Sequence, residues 1–420
     1  MANPAIHAAC VVRSVTDTTP TIVPTPPGAP PGTRRASRGR RRLGWFIGGV
    51  GIAGLASILV LSVLPSELVA EKENARTGEV EPTPYALTPA SAEPVTGRIV
   101  FGDLPAGVER YDTNHDFYFV TVTSPAQSML GWLTGRDDAA VRFITTEDKY
   151  GRRTPDQRRE INLQSMRTAA QEAQYVALTA LGYDAEITPG TVVVQEMLCL
   201  TEAEDSPDCV EYYPSDVEVD PADTILEADG KPLASVDDLV AALADKQPGD
   251  TIELLIDRPG TGEMTVTVEL SASPDDPDRT IVGFQPFDTR VVKLPFEVDI
   301  ETGDIGGPSA GLSFTLAMID QLSPGQLTGG RDVAVTGTIG LDGSVGAIGG
   351  LAQKVSAVHQ NGVNVFLVPA TQPELSDPVQ MQTLIDAGRG EVEIIPVATL
   401  DEALAALEKL GGDPLVKVGS

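Results

Sequence analysis

Ser309 stands in Gly307-Pro308-Ser309-Ala310-Gly311, and Lys354 closes a second glycine-punctuated run, Gly343-Ser344-Val345-Gly346-Ala347-Ile348-Gly349-Gly350-Leu351-Ala352-Gln353-Lys354. A serine hydroxyl is a weak nucleophile until a base takes its proton, and a lysine serves as that base only where burial brings its pKa down toward the working pH. The pattern around Lys354 predicts such burial. In a helix over Leu351–Gln360, Leu351, Lys354, Val355 and Val358 fall at i, i+3, i+4 and i+7, which puts the amine on the apolar face. Pro308 suits a first helical turn and Ala310-Gly311 carry almost no bulk, so Ser309 is expected at a helix N-terminus among free backbone N–H groups. The backbone over Pro308, Ser309 and Ala310 is then the candidate oxyanion site. Taken alone, Gly307 to Gly311 also reads as an ordinary strand-to-helix turn, because a short motif is a hypothesis until its surroundings confirm it.

The surroundings add to it. Gly306-Gly307-Pro308-Ser309-Ala310-Gly311, Val335-Thr336-Gly337-Thr338-Ile339 and Ile348-Gly349-Gly350-Leu351-Ala352-Gln353-Lys354 together resemble, in order and spacing, the proteolytic domain of the Lon family, over roughly Phe284 to Leu410. The resemblance implies Ser309 as nucleophile, Lys354 as general base and Thr336 as the residue that orients the lysine. It further implies polypeptide substrates and a homo-oligomer, since such domains commonly form rings. It implies no cofactor and no metal. One departure stands out: ATP-dependent Lon proteases usually carry an acidic residue three positions before the serine, where this chain has Gly306. Asp304 is close by, but nothing in the sequence makes it a substitute.

The chain has no G-x-x-x-x-G-K-[ST] phosphate loop, so ATP-driven unfolding is not expected of it. What precedes the serine region looks instead like membrane and binding-module sequence. Leu43 to Leu64 is almost wholly apolar and uncharged, long enough for one transmembrane helix. Arg34, Arg35, Arg38, Arg40, Arg41 and Arg42 stand just before it with no basic cluster after, which predicts a cytoplasmic N-terminus and an extracytoplasmic remainder at the plasma membrane. A cleaved signal peptide is the rival reading, weakened by the length of the apolar run and by the lack of a clear small-x-small site before Pro65.

Charge divides the chain at the same place. The first 43 residues carry seven Arg and one Asp, a net of +6, which leaves −36 for the rest of a chain of net charge −30. So acidic an ectodomain argues against nucleic-acid partners, and none is expected, and it argues against tight docking on an anionic membrane surface. Cys199 and Cys209 are close together beyond the apolar run, so a disulfide between them is expected in an oxidising compartment; two unpaired thiols are the alternative.

The fold class expected is α+β and multidomain: a disordered tail over 1–42, a transmembrane helix over 43–64, a linker over 65–97, a small α+β region over 98–190, a PDZ-like β-rich domain over 191–272 and a Lon-type α/β proteolytic domain over 284–412. In the α+β region, Arg98 to Phe101 and Phe117 to Val122 read as strands. Thr154-Pro155 opens a helix that Gly182 ends, with Met166 and Tyr175 as packing groups. The PDZ resemblance rests on Asp223-Thr224-Ile225-Leu226-Glu227-Ala228-Asp229-Gly230-Lys231-Pro232-Leu233, a helix capped by Ser235, and two alternating strands, Thr251 to Asp257 and Met264 to Leu270. Such domains bind extended peptides along a sheet edge. Here the glycine-rich carboxylate-binding loop is not recognisable, and its expected place holds the acidic stretch from Cys199 to Cys209.

His7, His115 and His359 are too scattered for a metal centre, and Lys293 is a rival base on an expected exposed strand. The function these features imply is a membrane-anchored, ATP-independent, extracytoplasmic serine endopeptidase that cuts unfolded or flexible chains with a Ser309–Lys354 dyad. The alternatives are a non-enzymatic peptide-binding or scaffold protein of the cell envelope and a latent protease whose acidic insert blocks access.

Overall fold

Short apolar runs make the centre of the fold. Val333–Val335 and Val365–Pro369 are buried at every position, as strands covered on both faces must be. In the computed structural model, which describes residues 54–73, 80–151, 153–202 and 209–418, they belong to a six-stranded sheet. Its order is Glu393–Val397, Val365–Pro369, Val333–Val335, Phe117–Thr123, Tyr85–Pro94 and Arg142–Ile144. The first four strands are parallel and the last two pair antiparallel.

Successive residues of these strands enter opposite cores. Phe117, Phe119, Val333, Val335, Val365 and Leu367 join a core with the helices Pro155–Leu181 and Gly311–Leu322. Val120, Ala334, Phe366 and Val368 join another with Leu351–Gln360 and Pro378–Ala387. The period-2 side-chain alternation of a strand thus builds a three-layer α/β/α unit.

Two sequence expectations are corrected here. The stretch assigned to a linker over 65–97 contains the ten-residue strand Tyr85–Pro94, interior to the sheet. Its prolines suggest a break, but the register shifts between Pro89 and Ala92, a bulge where the missing ladder N–H does little harm. Residues 98–190 are likewise no separate supporting region, because Phe117–Thr123 pairs directly with Val333–Val335. The long helix forms as its ends predict: Thr154 and Gln157 make a reciprocal capping box, Pro155 takes the first turn, and Gly182 closes it at φ 90°.

A second, antiparallel sheet orders Gly262–Glu269, Thr251–Arg258, Thr224–Ala228, Glu186–Met197 and Phe284–Lys293 around its own core with Leu239 of helix Val236–Leu243. It outruns the expected 191–272 at both ends. Phe284–Lys293, assigned from sequence to the proteolytic region, pairs with Glu186–Met197 instead. The sheet is therefore inserted between the long helix and Val298, the start of a strand that pairs with Ile99–Phe101. Cys199 and Cys209 are bonded, S–S 2.10 Å, across an antiparallel pair of short strands. The acidic residues 203–208 between them lie outside the described residues.

Residues 54–63 are helical, whereas the rest of the expected membrane span and the whole tail lie outside the described residues. Among the described residues no helix is long and apolar enough to cross a membrane.

One buried carboxyl makes a stability prediction. Asp320 is 2% exposed on helix Gly311–Leu322, and Leu327 donates its N–H to it at 2.8 Å. Burial pushes its pKa up to about 6, with the Asp116 charge adding to the rise. A folded-state value above the unfolded one near 3.9 means that the fold favours the protonated form, so this contribution is complete below about pH 4 and lost as pH rises through 6. Asp320→Asn keeps the acceptor oxygen and stays neutral. It is expected to match the parent in urea unfolding at pH 4 and to exceed it at pH 8 by on the order of 2–3 kcal/mol; equal stability at both pH values refutes the assignment.

Candidate active site

Ser309 occupies the 3-10 turn Pro308–Ala310 that leads into helix Gly311–Leu322. Three contacts fix that turn. Gly337 N–H donates to the Ser309 carbonyl at 2.9 Å, Thr336 Oγ1 donates to the same oxygen at 3.2 Å, and Gly307 N–H donates to the carbonyl of Asn162 at 2.8 Å. Gly307 has φ 88°, a left-handed conformation that favours glycine. Pro308 has no N–H, which corrects its place among the oxyanion residues: the donors available at the start of the turn are the amides of Ser309 and Ala310.

Lys354 comes from the helix Leu351–Gln360, on the opposite side of the sheet from the serine helix. Its side chain crosses the carboxyl end of Val333–Val335, the position where open α/β sheets hold their sites. There the amine lies 2.9 Å from Ser309 Oγ, 3.0 Å from Thr336 Oγ1 and 2.9 Å from the carbonyl oxygen of Val120. Lys354 is 3% exposed, and burial lowers its pKa to about 7. At that value much of the amine is neutral near pH 7, with two N–H donors and one lone pair. Val120 and Thr336 take the two hydrogens. The lone pair is left facing Ser309 Oγ, whose proton it accepts.

A cleft of about 610 Å³ opens over these groups. Phe119, Val120, Met166, Ile305 and Ile348 form much of its apolar lining, and the glycine run Gly349-Gly350 forms part of its rim. Met166, 1% exposed within the core, also reaches this lining. Tyr175 packs against the core.

The departure at Gly306 has a steric cause. A Cβ at Gly306 would stand 2.7 Å from Asn162 Cβ on the long helix, so the helix fills the space that an acidic side chain there would need. Asp304 points elsewhere, to a 2.7 Å ion pair with exposed Arg159.

The other sequence candidates lie apart from the serine. Lys293 is exposed and pairs with Glu186 at 3.0 Å. His115 pairs with Asp332 and His359 with Glu391, while His7 is outside the described residues. Among the described residues no group of His, Cys, Asp and Glu is arranged to hold a metal. Sequence reasoning missed Val120 and Asn162. Both act here through main-chain carbonyls, which carry no side-chain signature.

Residues 297–409 match the Lon protease (S16) C-terminal proteolytic domain. Lon protease of Chloroflexus aggregans is 37% identical over 97 residues, which cover 23% of this chain and 11% of that protein. Lon protease 1 of Sorangium cellulosum is 29% identical over 163 residues, 36% of this chain and 19% of that protein. The chain thus spans less than a fifth of the length of these relatives. Among solved structures, the PDZ domain of an SdrC-like protein from Listeria monocytogenes is 18% identical with a TM-score of 0.18, covering 23% of this chain and 87% of that one. The corresponding Listeria innocua domain is 19% identical with a TM-score of 0.16, covering 22% and 93%.

Two substitutions test the geometry. Gly306→Ala forces its methyl against Asn162 and shifts the serine turn, so hydrolysis of an unfolded protein should fall at least about tenfold with only a modest loss of melting temperature. Unchanged hydrolysis rules out the steric constraint. Thr336→Val preserves shape but removes the acceptor for one lysine N–H; a drop in kcat of about 10²-fold is expected, the scale of a misplaced general base. A wild-type kcat excludes an orienting role for Thr336.

Proposed function

We propose that this protein is an ATP-independent serine endopeptidase, held in the membrane by residues 43–64, that works outside the cytoplasm on unfolded or flexible polypeptides. One observation carries the chemistry: a buried amine with a pKa of about 7 lies 2.9 Å from the hydroxyl of a serine on a braced turn. A structural lysine would not need to be desolvated beside a serine, because burying a charge without a carboxylate partner is costly. The match of residues 297–409 to the Lon proteolytic domain supports the same chemistry.

In the reaction, Ser309 Oγ attacks the scissile carbonyl as its proton passes to Lys354 Nζ. The amides of Ser309 and Ala310 hold the resulting oxyanion. The ammonium, anchored on Val120 and Thr336, returns the proton to the leaving amine, and the C–N bond breaks to give an ester on Ser309. Lys354, neutral again, takes a proton from water as the water oxygen attacks the ester; the bond from the acyl carbon to Ser309 Oγ then breaks, Lys354 returns the proton to that oxygen, and the carboxylic product leaves. The absence of a phosphate-loop motif supports independence from ATP, and the arginines before Leu43 support the topology.

The test is casein cleavage by the full-length protein in detergent, with Ser309→Ala as the control. Activity requires the neutral amine, so it should rise with pH through an ionisation near 7 and level off above it. Lys354→Arg should be inactive while remaining folded, since a guanidinium stays protonated and cannot act as a base. Equal cleavage by the parent and Ser309→Ala, or full activity of folded Lys354→Arg, overturns the proposal.

A further inference from the structure

The cleft over Ser309 is apolar along most of its length but strongly basic at one end. That end is built from the strand Arg142–Ile144, the short helix Thr146–Tyr150 and the first turns of the long helix. Lys72, Arg142, Arg158 and Asp148 line it. Asp148 is already engaged: its Oδ2 accepts from Lys72 Nζ at 3.1 Å and from the Thr145 N–H at 3.1 Å, as part of a capping box. Lys72 and Asp148 therefore offset each other. Among the described residues, neither Arg142 nor Arg158 has a salt bridge within 4 Å or a side-chain hydrogen bond. Arg158 lies over the Tyr150 ring at 5.7 Å, partly buried, and desolvation lowers its pKa. Arg142 also feels the Asp148 charge, but three cations against one carboxylate line this end, which leaves two positive charges in excess in a chain whose net charge is −30.

Their place on the fold brings them near the reacting serine. Arg158, Asn162 and Met166 recur at i, i+4 and i+8 on one face of the long helix. Asn162 accepts from Gly307, two residues before the serine. One helical turn of about 5–6 Å separates the Arg158 backbone from that contact, and Arg158 and Ser309 line the same cleft, which puts the basic end on the order of two to four extended peptide residues from Ser309.

We propose that Arg142 and Arg158 form an acidic-side-chain subsite of the cleft, so that substrates carrying Glu or Asp a few residues from the scissile bond are selected. This inference rests on the peptidase reading of the same cleft. A carboxylate there gains bidentate guanidinium hydrogen bonds and supplies the missing counter-charge. The acidic surface elsewhere opposes this only weakly, because charges beyond a Debye length of about 8 Å are largely screened at physiological salt. A lysine at the same substrate position meets two like charges and is disfavoured.

The test uses full-length protein in detergent and labelled peptides of one apolar sequence, in which Glu, Gln or Lys is walked through four positions on each side of a central leucine. Binding is read by fluorescence anisotropy on Ser309→Ala, and cleavage on the parent. At one or two adjacent positions Glu should bind about tenfold more tightly than Gln, from two partly exposed charge pairs each contributing a few-fold, and Lys should bind more weakly than either. The Glu advantage should shrink as salt is raised, and Arg142→Glu combined with Arg158→Glu should reverse the order. Equal affinity at every position, or a Glu preference that survives both the charge reversal and high salt, overturns the subsite. If the doubly substituted protein does not fold, the salt dependence of the parent sequence decides alone. Selective binding without cleavage by the parent defeats the peptidase reading but leaves the subsite standing.

Discussion

Everything at the site depends on keeping one amine out of water. Lys354 loses hydration by lying under the sheet's second core, and its pKa falls because the charged form loses more than the neutral one. Desolvation alone would leave the base without direction. The carbonyl of Val120 and the hydroxyl of Thr336 take its two hydrogens and so aim the lone pair at Ser309. Thr336 in turn donates to the Ser309 carbonyl, so one hydroxyl sets the position of both reacting residues.

This arrangement requires three elements that are distant in sequence. Phe117–Thr123 provides the carbonyl, Val333–Val335 runs straight into Thr336, and Leu351–Gln360 carries the lysine. Parallel pairing of Phe119 with Val335 sets Val120 one residue beyond the last paired position. A shift of that register by one residue would turn Val120 into the other core and take the acceptor carbonyl to the wrong edge.

The long helix Pro155–Leu181 joins the two halves of the molecule. Near its start Asn162 braces the serine turn, and farther along Glu172 pairs with Arg290 at 3.3 Å on the edge strand of the inserted sheet. The Gln174 side chain donates to the carbonyl of Val298, where the chain returns from that sheet. A single rigid element thus touches the serine turn, the insertion and the re-entry point. It also explains why glycine stands at 306, since the helix backbone and Asn162 occupy the volume of any side chain there.

The sequence by itself determined what depends on local pattern. Lys354 on the apolar face of Leu351–Gln360, the proline-led turn at Ser309 and the Thr154-Pro155 start and Gly182 end of the long helix were legible because each is set by residues within one or two helical turns. Tertiary structure decided what depends on pairing across long separations. Tyr85–Pro94 read as a linker because its prolines argue locally against a strand, and only the bulge against Phe117–Thr123 accommodates them. Phe284–Lys293 was assigned to the proteolytic region because its partner, Glu186–Met197, lies on the far side of a whole insertion. The carbonyls of Val120 and Asn162 left no trace in the sequence, since every residue type offers the same main-chain oxygen and only the fold decides which of them faces a lysine or a serine turn.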